Sequence, residues 1–242
     1  MNIAIVIAIP YLYCVKQTQN IKVSVDAVVF GYTSSEGLSI LLINRKIKPF
    51  KGEWALPGGL VHNDETLEQA VERELEEETG LQINYLEQLY SFGALERDPR
   101  NRVVAVAYFG LVRPDTLRLH AATDAEAAAW FNIKELPNLA FDHQQIINTA
   151  LLRLQGKLTY EPIGFELLDK KFPFSELEKL YKTVLDRPID RRNFKKKIMK
   201  FGFLVETKQK QKHAGSGRPG FLFQFNEKRY FQLKKEGINF EI

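Results

Sequence analysis

Between Gly59 and Leu81 the chain reads GLVHNDETLEQAVERELEEETGL. On a wheel of 3.6 residues per turn, Leu67, Ala70 and Val71 share one stripe, and the stripe runs on into Glu74, Glu77 and Glu78. Glu72 and Glu76 fall on the other side. An apolar stripe that turns into three carboxylates is not an ordinary solvated face, because like charges brought together repel unless a cation neutralises them. Oxygen donors with no Cys or His on the same stripe suit a hard ion, Mg²⁺ or Mn²⁺, of the kind that also binds substrate phosphates. Arg73 stands one helical turn before Glu77 and can hold it.

These side chains need a loop and a helix to place them. Trp54 to Gly59 is a short apolar run closed by a Pro-Gly-Gly turn; Asn63 or Asp64 is expected to cap the helix and Gly80 to end it. Upstream, Lys22–Tyr32 and Leu38–Asn44 read as two strands of a hairpin turning at residues 34–37. The basic stretch Arg45-Lys46-Ile47-Lys48 either steers an anionic ligand or is a solvated loop. Downstream, Gln82–Phe92 and Val103–Val112 read as strands flanking a charged, proline-broken loop. In that loop Arg97, Asp98, Arg100 and Arg102 are candidate ligand contacts, since guanidinium forks suit pyrophosphate; the competing reading is a charged hairpin tip. Asp124 and Glu126 precede a strand at Ala127–Asn132 and either complete a metal site, act as a base or are merely solvated. Phe141–Gln155 has helical spacing and is expected to stop at Gly156, either linking two domains or pairing with its copy; His143 is expected on its exposed side without a catalytic role.

The spacing Gly59, five residues, Glu65, seven residues, then Arg73-Glu74-Leu75-Glu76-Glu77-Glu78-Thr79-Gly80-Leu81 resembles the Nudix box at each of its nine specified positions. The resemblance implies a Nudix fold, an α/β (α+β) arrangement with a mixed sheet between helices, and a ligand in which a nucleoside diphosphate is linked to another group. It implies that Glu74, Glu77 and Glu78 are metal ligands, that the Gly59 carbonyl adds another, that Arg73 orients a glutamate and that Glu65 supports the loop. Trp130-Phe131 followed by Glu135-Leu136-Pro137 resembles the end of such a domain.

Charge divides the chain. Residues 1–150 carry 13 Lys+Arg against 19 Asp+Glu, whereas residues 151–242 carry 21 against 11, so a formal +4 overall conceals an acidic part and a basic part. In the basic part, Ser175-Glu176-Leu177-Glu178 reads as a capping box opening a helix to about Leu185. After a turn at Arg187-Pro188-Ile189, Asp190 caps a second helix, Arg191 to Lys200, stopped by Gly202. Its inner side is Phe194, Ile198 and Phe201, and its outer side carries Arg191, Arg192, Asn193, Lys195, Lys196, Lys197 and Lys200. Two helices joined by a tight turn form a helix-turn-helix pattern. Strands at Phe203–Thr207 and Phe221–Phe225 then bracket a basic, glycine-rich wing that includes Lys210, Lys212 and Arg218. Double-stranded DNA is the expected partner, with Arg191, Arg192, Asn193 and Lys195 at base edges and the wing lysines adding salt-dependent affinity; a protein-interaction module is the competing reading.

Nudix domain followed by winged helix resembles the Nudix-related transcriptional regulators of NrtR type. The stretch Arg191-Arg192-Asn193-Phe194-Lys195-Lys196-Lys197 and the wing Gly217-Arg218-Pro219 also look like that family. The resemblance implies a homodimeric repressor on a palindromic operator, with ADP-ribose or a related nucleotide as effector; a relative of the same architecture responds to a sugar, arabinose. Many such regulators have lost parts of the box, and this chain keeps it whole, so an active Mg²⁺-dependent ADP-ribose pyrophosphatase is the alternative. The expected division is an N-terminal extension over 1–20, a Nudix domain over 21–155 and a winged helix over 156–242. The only cysteine, Cys14, excludes an intramolecular disulfide and fits a reducing cytoplasm. The apolar run near the N-terminus is broken by Pro10 and too short to span a bilayer, so no membrane partner is expected.

Overall fold

The computed structural model describes residues 19–83, 85–114, 125–161, 163–211 and 220–237, with the side chains of Ala125 and Glu126 left out. Asp124, the Glu126 side chain, Lys212, the Gly217-Arg218-Pro219 wing tip and the N-terminal extension up to residue 18 therefore lie outside the described residues.

The expected hairpin forms from β1 (Lys22–Thr33) and β2 (Gly37–Arg45), paired antiparallel with Phe30 opposite Ile40. β3 (Trp54–Ala55) pairs antiparallel with the end of β2, and β4 (Gly58–Leu60) pairs antiparallel with β1. Helix α1 (Leu67–Thr79) follows, then β5 (Leu86–Phe92), β6 (Val103–Val112) and β7 (Ala125–Asn132). β6 runs parallel to β1 and the other pairings are antiparallel, which makes the sheet mixed, in the order β3-β2-β1-β6-β5 with β7 on β2.

Period-two alternation along β1 decides which helix covers which face. Val25, Ala27 and Val29 pack with Ala70, Val71 and Leu75 of α1. Val28, Phe30 and Tyr32 point the other way, onto Ile146, Ile147, Ala150 and Leu154 of α2 (His143–Tyr160). That second core does not stop at the sheet: the same apolar cluster continues through Leu158 into Phe165, Leu177, Leu180, Tyr181, Phe194 and Phe203 of the C-terminal part.

The C-terminal part is a winged helix. It contains a short 3-10 turn at Phe165–Leu167, β8 (Phe172–Pro173), α3 (Phe174–Leu185), α4 (Arg191–Lys200), β9 (Leu204–Lys210), β10 (Phe221–Phe225) and α5 (Glu227–Glu236). β10 lies between β8 and β9. Asp190 caps α4 as expected, its side chain accepting from Asn193 N–H at 2.7 Å. Among the described residues no helix is long and apolar enough to cross a membrane.

Several local expectations are corrected. Helix α1 is capped by Thr66, not by Asn63 or Asp64: Thr66 Oγ1 accepts from Gln69 N–H at 3.2 Å and Gln69 Oε1 accepts from Thr66 N–H at 2.9 Å, a reciprocal box that satisfies two otherwise unpaired donors. Gly156 does not end α2, which continues to Tyr160. Ser175 lies inside α3 and caps nothing; the N-cap is Pro173, because β8 pairs with β10 and Phe174 is buried against the rings of Phe194 and Phe223. β5 starts at Leu86, not Gln82, and the winged helix has a further helix, α5, beyond the elements expected.

Candidate functional site

The loop and helix carrying the carboxylates are fixed by backbone pairing and by two glycines. Gly58 stands opposite Asp26 and Gly59 opposite Val25 in the β1–β4 register, and Ala27 N–H donates to Pro57 O at 2.8 Å. A Cβ on Gly59 would lie 2.2 Å from Glu74 Oε1, so only a glycine lets that carboxylate close on the backbone here.

Arg73 is the hub. Its Nε and Nη2 donate to Glu65 Oε2 and Oε1 at 2.9 and 2.7 Å, a bidentate pair, while Nη1 reaches Glu74 Oε1 at 2.8 Å and Glu77 Oε2 at 3.3 Å. Nη2 also donates to the Leu60 carbonyl at 3.3 Å. Glu65 is further fixed by the His62 N–H at 2.8 Å. The Arg73 hydrogen bonds, helped by that N–H, hold the Glu65 carboxyl down at about 2. Burial pushes the Glu74 carboxyl above the usual range against the opposing pull of Arg73, with Glu77 and Glu65 adding to the rise. Glu65 is thus tied to the His62 backbone and to Arg73, and one guanidinium bonds Glu65, Glu74 and Glu77 together.

The three carboxylates are not equivalent. Glu77 is open to solvent, Glu74 is half-buried, and Glu78 is buried with its Oε2 accepting from Gly58 N–H at 2.8 Å. For a hard divalent cation the donor chemistry fits, since Glu74, Glu77, Glu78 and the Gly59 carbonyl offer oxygen alone. Their positions are those of groups held by protein donors, and among the described residues no three His, Cys, Asp or Glu side chains are gathered to hold an ion.

Sequence reasoning missed a buried cluster beneath the loop. Arg97 is not at an exposed hairpin tip: it donates from Nε and Nη2 to Asp142 at 3.0 and 2.8 Å and from Nη2 to Asp26 at 3.1 Å, and it is buried. Asp98 is also buried and takes Arg100 in a bidentate pair at 3.0 and 2.8 Å. Arg102 donates to the carbonyls of Ala94 and Val103, both at 3.2 Å. Of the loop cations Arg100 remains half-exposed, at 5.9 Å from the Phe141 ring, with Arg45 over the same ring at 4.8 Å. Beside them, Lys48, Phe50, Lys51 and Glu53 line an open cleft of about 560 Å³.

His143 corrects the expectation of an exposed side chain. It is 3% exposed, its Nδ1 accepts from Leu56 N–H at 2.8 Å, and its Nε2 lies 3.8 Å from Asp26 Oδ1. Burial, aided by Arg97, lowers its pKa to about 3, and burial raises Asp26 to about 6. The two act in opposite directions on stability. An imidazole that stays neutral when folded costs stability as pH falls below its unfolded pKa of roughly 6.5; a carboxyl raised to about 6 gains stability as pH falls from there towards about 4. In His143→Gln the first contribution disappears and the second remains. Urea denaturation from pH 7 to pH 4 is expected to show wild type losing ground steadily to the variant; a constant difference would contradict a neutral buried His143.

On the winged helix, Phe194 and Ile198 are buried, while Arg191, Arg192, Asn193, Lys195, Lys196, Lys197 and Lys200 are all exposed, as is Lys210 on β9. They differ in what they touch. Arg191 Nε lies 3.2 Å from Glu178 Oε2, Lys195 Nζ sits over the rings of Phe174 and Phe223 at 5.5 and 5.6 Å, and Lys210 lies over Phe221. Among the described residues no ion pair holds Arg192 or Lys196.

Comparison with known proteins agrees with both halves of this geometry. The NUDIX domain profile matches residues 21–150 and the profile of the NrtR DNA-binding winged helix domain matches residues 164–225. The chain is 34% identical over 206 residues to the ADPR responsive transcriptional repressor NtrR of Acinetobacter baylyi, covering 84% of this chain and 81% of that protein. It is 42% identical over 125 residues to an ADP-ribose pyrophosphatase of Methanocaldococcus jannaschii, covering 52% and 70%. Shewanella oneidensis NrtR complexed with a 27mer DNA superposes with a TM-score of 0.72 at 32% identity, over 86% of this chain and 95% of that one. The NUDIX domain of the same protein complexed with ADP ribose gives 0.52 at 36% identity, over 59% and 94%.

Proposed function

The chain belongs to the NUDIX family, in the NrtR branch that carries a C-terminal winged helix, and on that premise we propose that it is an ADP-ribose-responsive transcriptional repressor. The carrying observation is the joint presence of an intact, Arg73-organised carboxylate loop and a winged helix whose α4 presents seven exposed polar or basic side chains. The Nudix domain takes ADP-ribose as effector. Arg100, with Arg45 and the basic loop before Trp54, faces the anionic diphosphate, and the buried Arg97, Asp98 and the carbonyl-bound Arg102 shape the loop that presents Arg100. Helix α4 enters the major groove, with Arg191, Arg192, Asn193 and Lys195 towards base edges, and Lys196, Lys197, Lys200, Lys210, Lys212 and Arg218 towards phosphates. The active species is a homodimer on a palindromic operator in the cytoplasm, two-fold symmetry in the protein matching that of the site.

A second reading, hydrolysis of ADP-ribose to AMP and ribose 5-phosphate, is favoured by the completeness of the box. Mg²⁺ or Mn²⁺ held by Glu74, Glu77, Glu78 and the Gly59 carbonyl would supply a polarised, more acidic water and neutralise diphosphate charge. This chain's own residues keep Glu65 and Arg73 locked so that Glu74 and Glu77 share one guanidinium nitrogen, and they hold Glu78 against Gly58. The two activities can coexist, the protein slowly destroying its own effector.

Glu77→Gln separates them. The variant is expected to lose any metal-dependent turnover, measured as AMP release, while its operator Kd stays within about threefold of wild type. Full turnover in the variant would overturn the role given to Glu77. Absence of operator binding by wild type above a scrambled duplex at matched salt would overturn the repressor reading. If ADP-ribose does not bind, arabinose and related sugars are the effectors to titrate next.

A further inference from the structure

One helix reaches from the underside of the carboxylate loop to the winged helix. At 18 residues, α2 is about 27 Å long. Its first turn is fastened beneath the loop: His143 accepts the Leu56 N–H, and Asp142 takes Arg97 through both carboxylate oxygens. Arg97 also holds Asp26, whose backbone stands opposite Gly58, and Gly58 in turn donates to Glu78. Side-chain contacts, together with the β1–β4 strand pairing, thus connect a carboxylate of the Nudix box to the start of α2.

The far end is fastened to the DNA-binding part. Lys157 pairs with Glu87 of β5 and lies 3.3 Å from Glu161, the residue after α2. Glu161 Oε1 accepts from Tyr230 Oη and Lys234 Nζ of α5, both at 2.5 Å. Between the two ends, α2 shares one apolar core with Leu177, Leu180 and Tyr181 of α3. A separate seam, where Ser34 meets Glu176 and Lys179, joins α3 to the β1–β2 turn and takes in no residue of the carboxylate loop. Packed cores and buried ion pairs do not deform gradually: removing one partner leaves an uncompensated charge, so such elements shift as units.

We propose that α2 is the coupling element of the regulator: occupancy of the Nudix site moves its first turn through Asp26, Arg97 and Asp142, and its last turn carries the change to α5 and the winged helix through Glu161. This rests on the reading that ADP-ribose binds the Nudix domain and controls operator binding. The pairs at the Glu161 end are positioning contacts and touch neither ligand.

The test uses the full chain and four equilibrium constants for each protein: ADP-ribose Kd with and without operator, and operator Kd with and without saturating ADP-ribose. Linkage requires the two ratios to agree, and in wild type they are expected to lie between about 5 and 150. In Glu161→Gln, ADP-ribose Kd and effector-free operator Kd are expected within about threefold of wild type, while the coupling ratio falls at least threefold. Tyr230→Phe, which removes one hydroxyl and no charge, is expected to change the ratio in the same direction and keeps the test decisive if Glu161→Gln fails to fold. A coupling ratio equal to wild type in the folded variants overturns the proposal. A wild-type ratio of one, with both ligands bound, overturns the regulatory reading itself and the coupling role with it, and the wild-type control distinguishes that result from an intact ratio in the variants.

Discussion

Gly58→Ala is expected to lower the melting temperature by about 6–12 °C, taking about 3 kcal/mol for a backbone overlap and about 2–4 °C per kcal/mol in a chain of this size. A Cβ at Gly58 would lie 2.2 Å from the Val25 carbonyl oxygen and 2.9 Å from Asp26 Cα, and the residue has φ 156°. Those neighbours are backbone atoms of the central strand β1, so they cannot rotate away as a side-chain tip would. Any displacement of Gly58 also withdraws the N–H that Glu78 accepts, leaving a buried carboxylate without that partner. ADP-ribose binding is expected to fail together with stability. Gly52→Ala is the control: φ is +83°, nothing lies within 4 Å of its Cβ, and only the left-handed backbone penalty of about 1–2 kcal/mol applies. Differential scanning calorimetry of the two variants checks this, and a Gly58→Ala protein melting within 1 °C of wild type would contradict the close packing of loop on strand.

The double substitution Arg192→Ala, Lys196→Ala is expected to weaken operator binding about 10- to 1,000-fold at physiological salt. The two residues stand one turn apart on α4, are exposed, and have no ion pair among the described residues, in contrast to Arg191 beside Glu178 and Lys195 over Phe174. Their effects should differ in kind. Lys196→Ala alone should weaken operator and scrambled duplex alike and reduce the slope of log K against log salt by about 0.9, the contribution of one phosphate contact. Arg192→Ala alone should cost about 1–3 kcal/mol on the operator and less on the scrambled duplex, because a base-edge contact is specific. Fluorescence anisotropy at several salt concentrations separates the two. Equal losses on both duplexes for Arg192→Ala would move that residue to the phosphate backbone.

The parts of this molecule that were legible in its sequence are those encoded at short range. Glu65 and the run Arg73 to Gly80 lie on one loop and helix, so spacing alone placed them, and Arg73 does reach Glu77 across one turn. Asp190 as a cap, the outer and inner sides of α4, and the β1–β2 hairpin are equally local. What spacing could not supply was the grouping of residues far apart in the chain. Arg97 looked like an exposed arginine because its partners, Asp26 and Asp142, are 71 and 45 positions away. His143 looked solvent-facing on a helical wheel, yet the turn that begins α2 lies under Leu56 and Asp26, and the wheel has no information about what covers a helix end. Local signals also competed: Asn63, Asp64 and Thr66 are all good caps, and the outcome rested on Gln69, three residues after Thr66. Ser175-Glu176-Leu177-Glu178 matched a capping box, but the pairing of Phe172–Pro173 with β10 started the helix two residues earlier, and Glu178 instead meets Lys182 and Arg191. The continuity of the α2 core with α3 followed from the three-dimensional path of the chain, which neither half discloses alone.

We propose that one ligand in the Nudix domain governs what the winged helix does to DNA. The most direct test is a titration of full-length protein onto a labelled duplex from its own upstream region, at fixed salt, with and without saturating ADP-ribose, alongside a scrambled duplex. Specific binding whose Kd changes at least fivefold with ADP-ribose, with little change on the scrambled duplex, is the predicted result. An operator Kd that stays the same while calorimetry shows ADP-ribose bound to the same protein would contradict the claim and leave the Nudix domain an enzyme joined to an independent DNA-binding module.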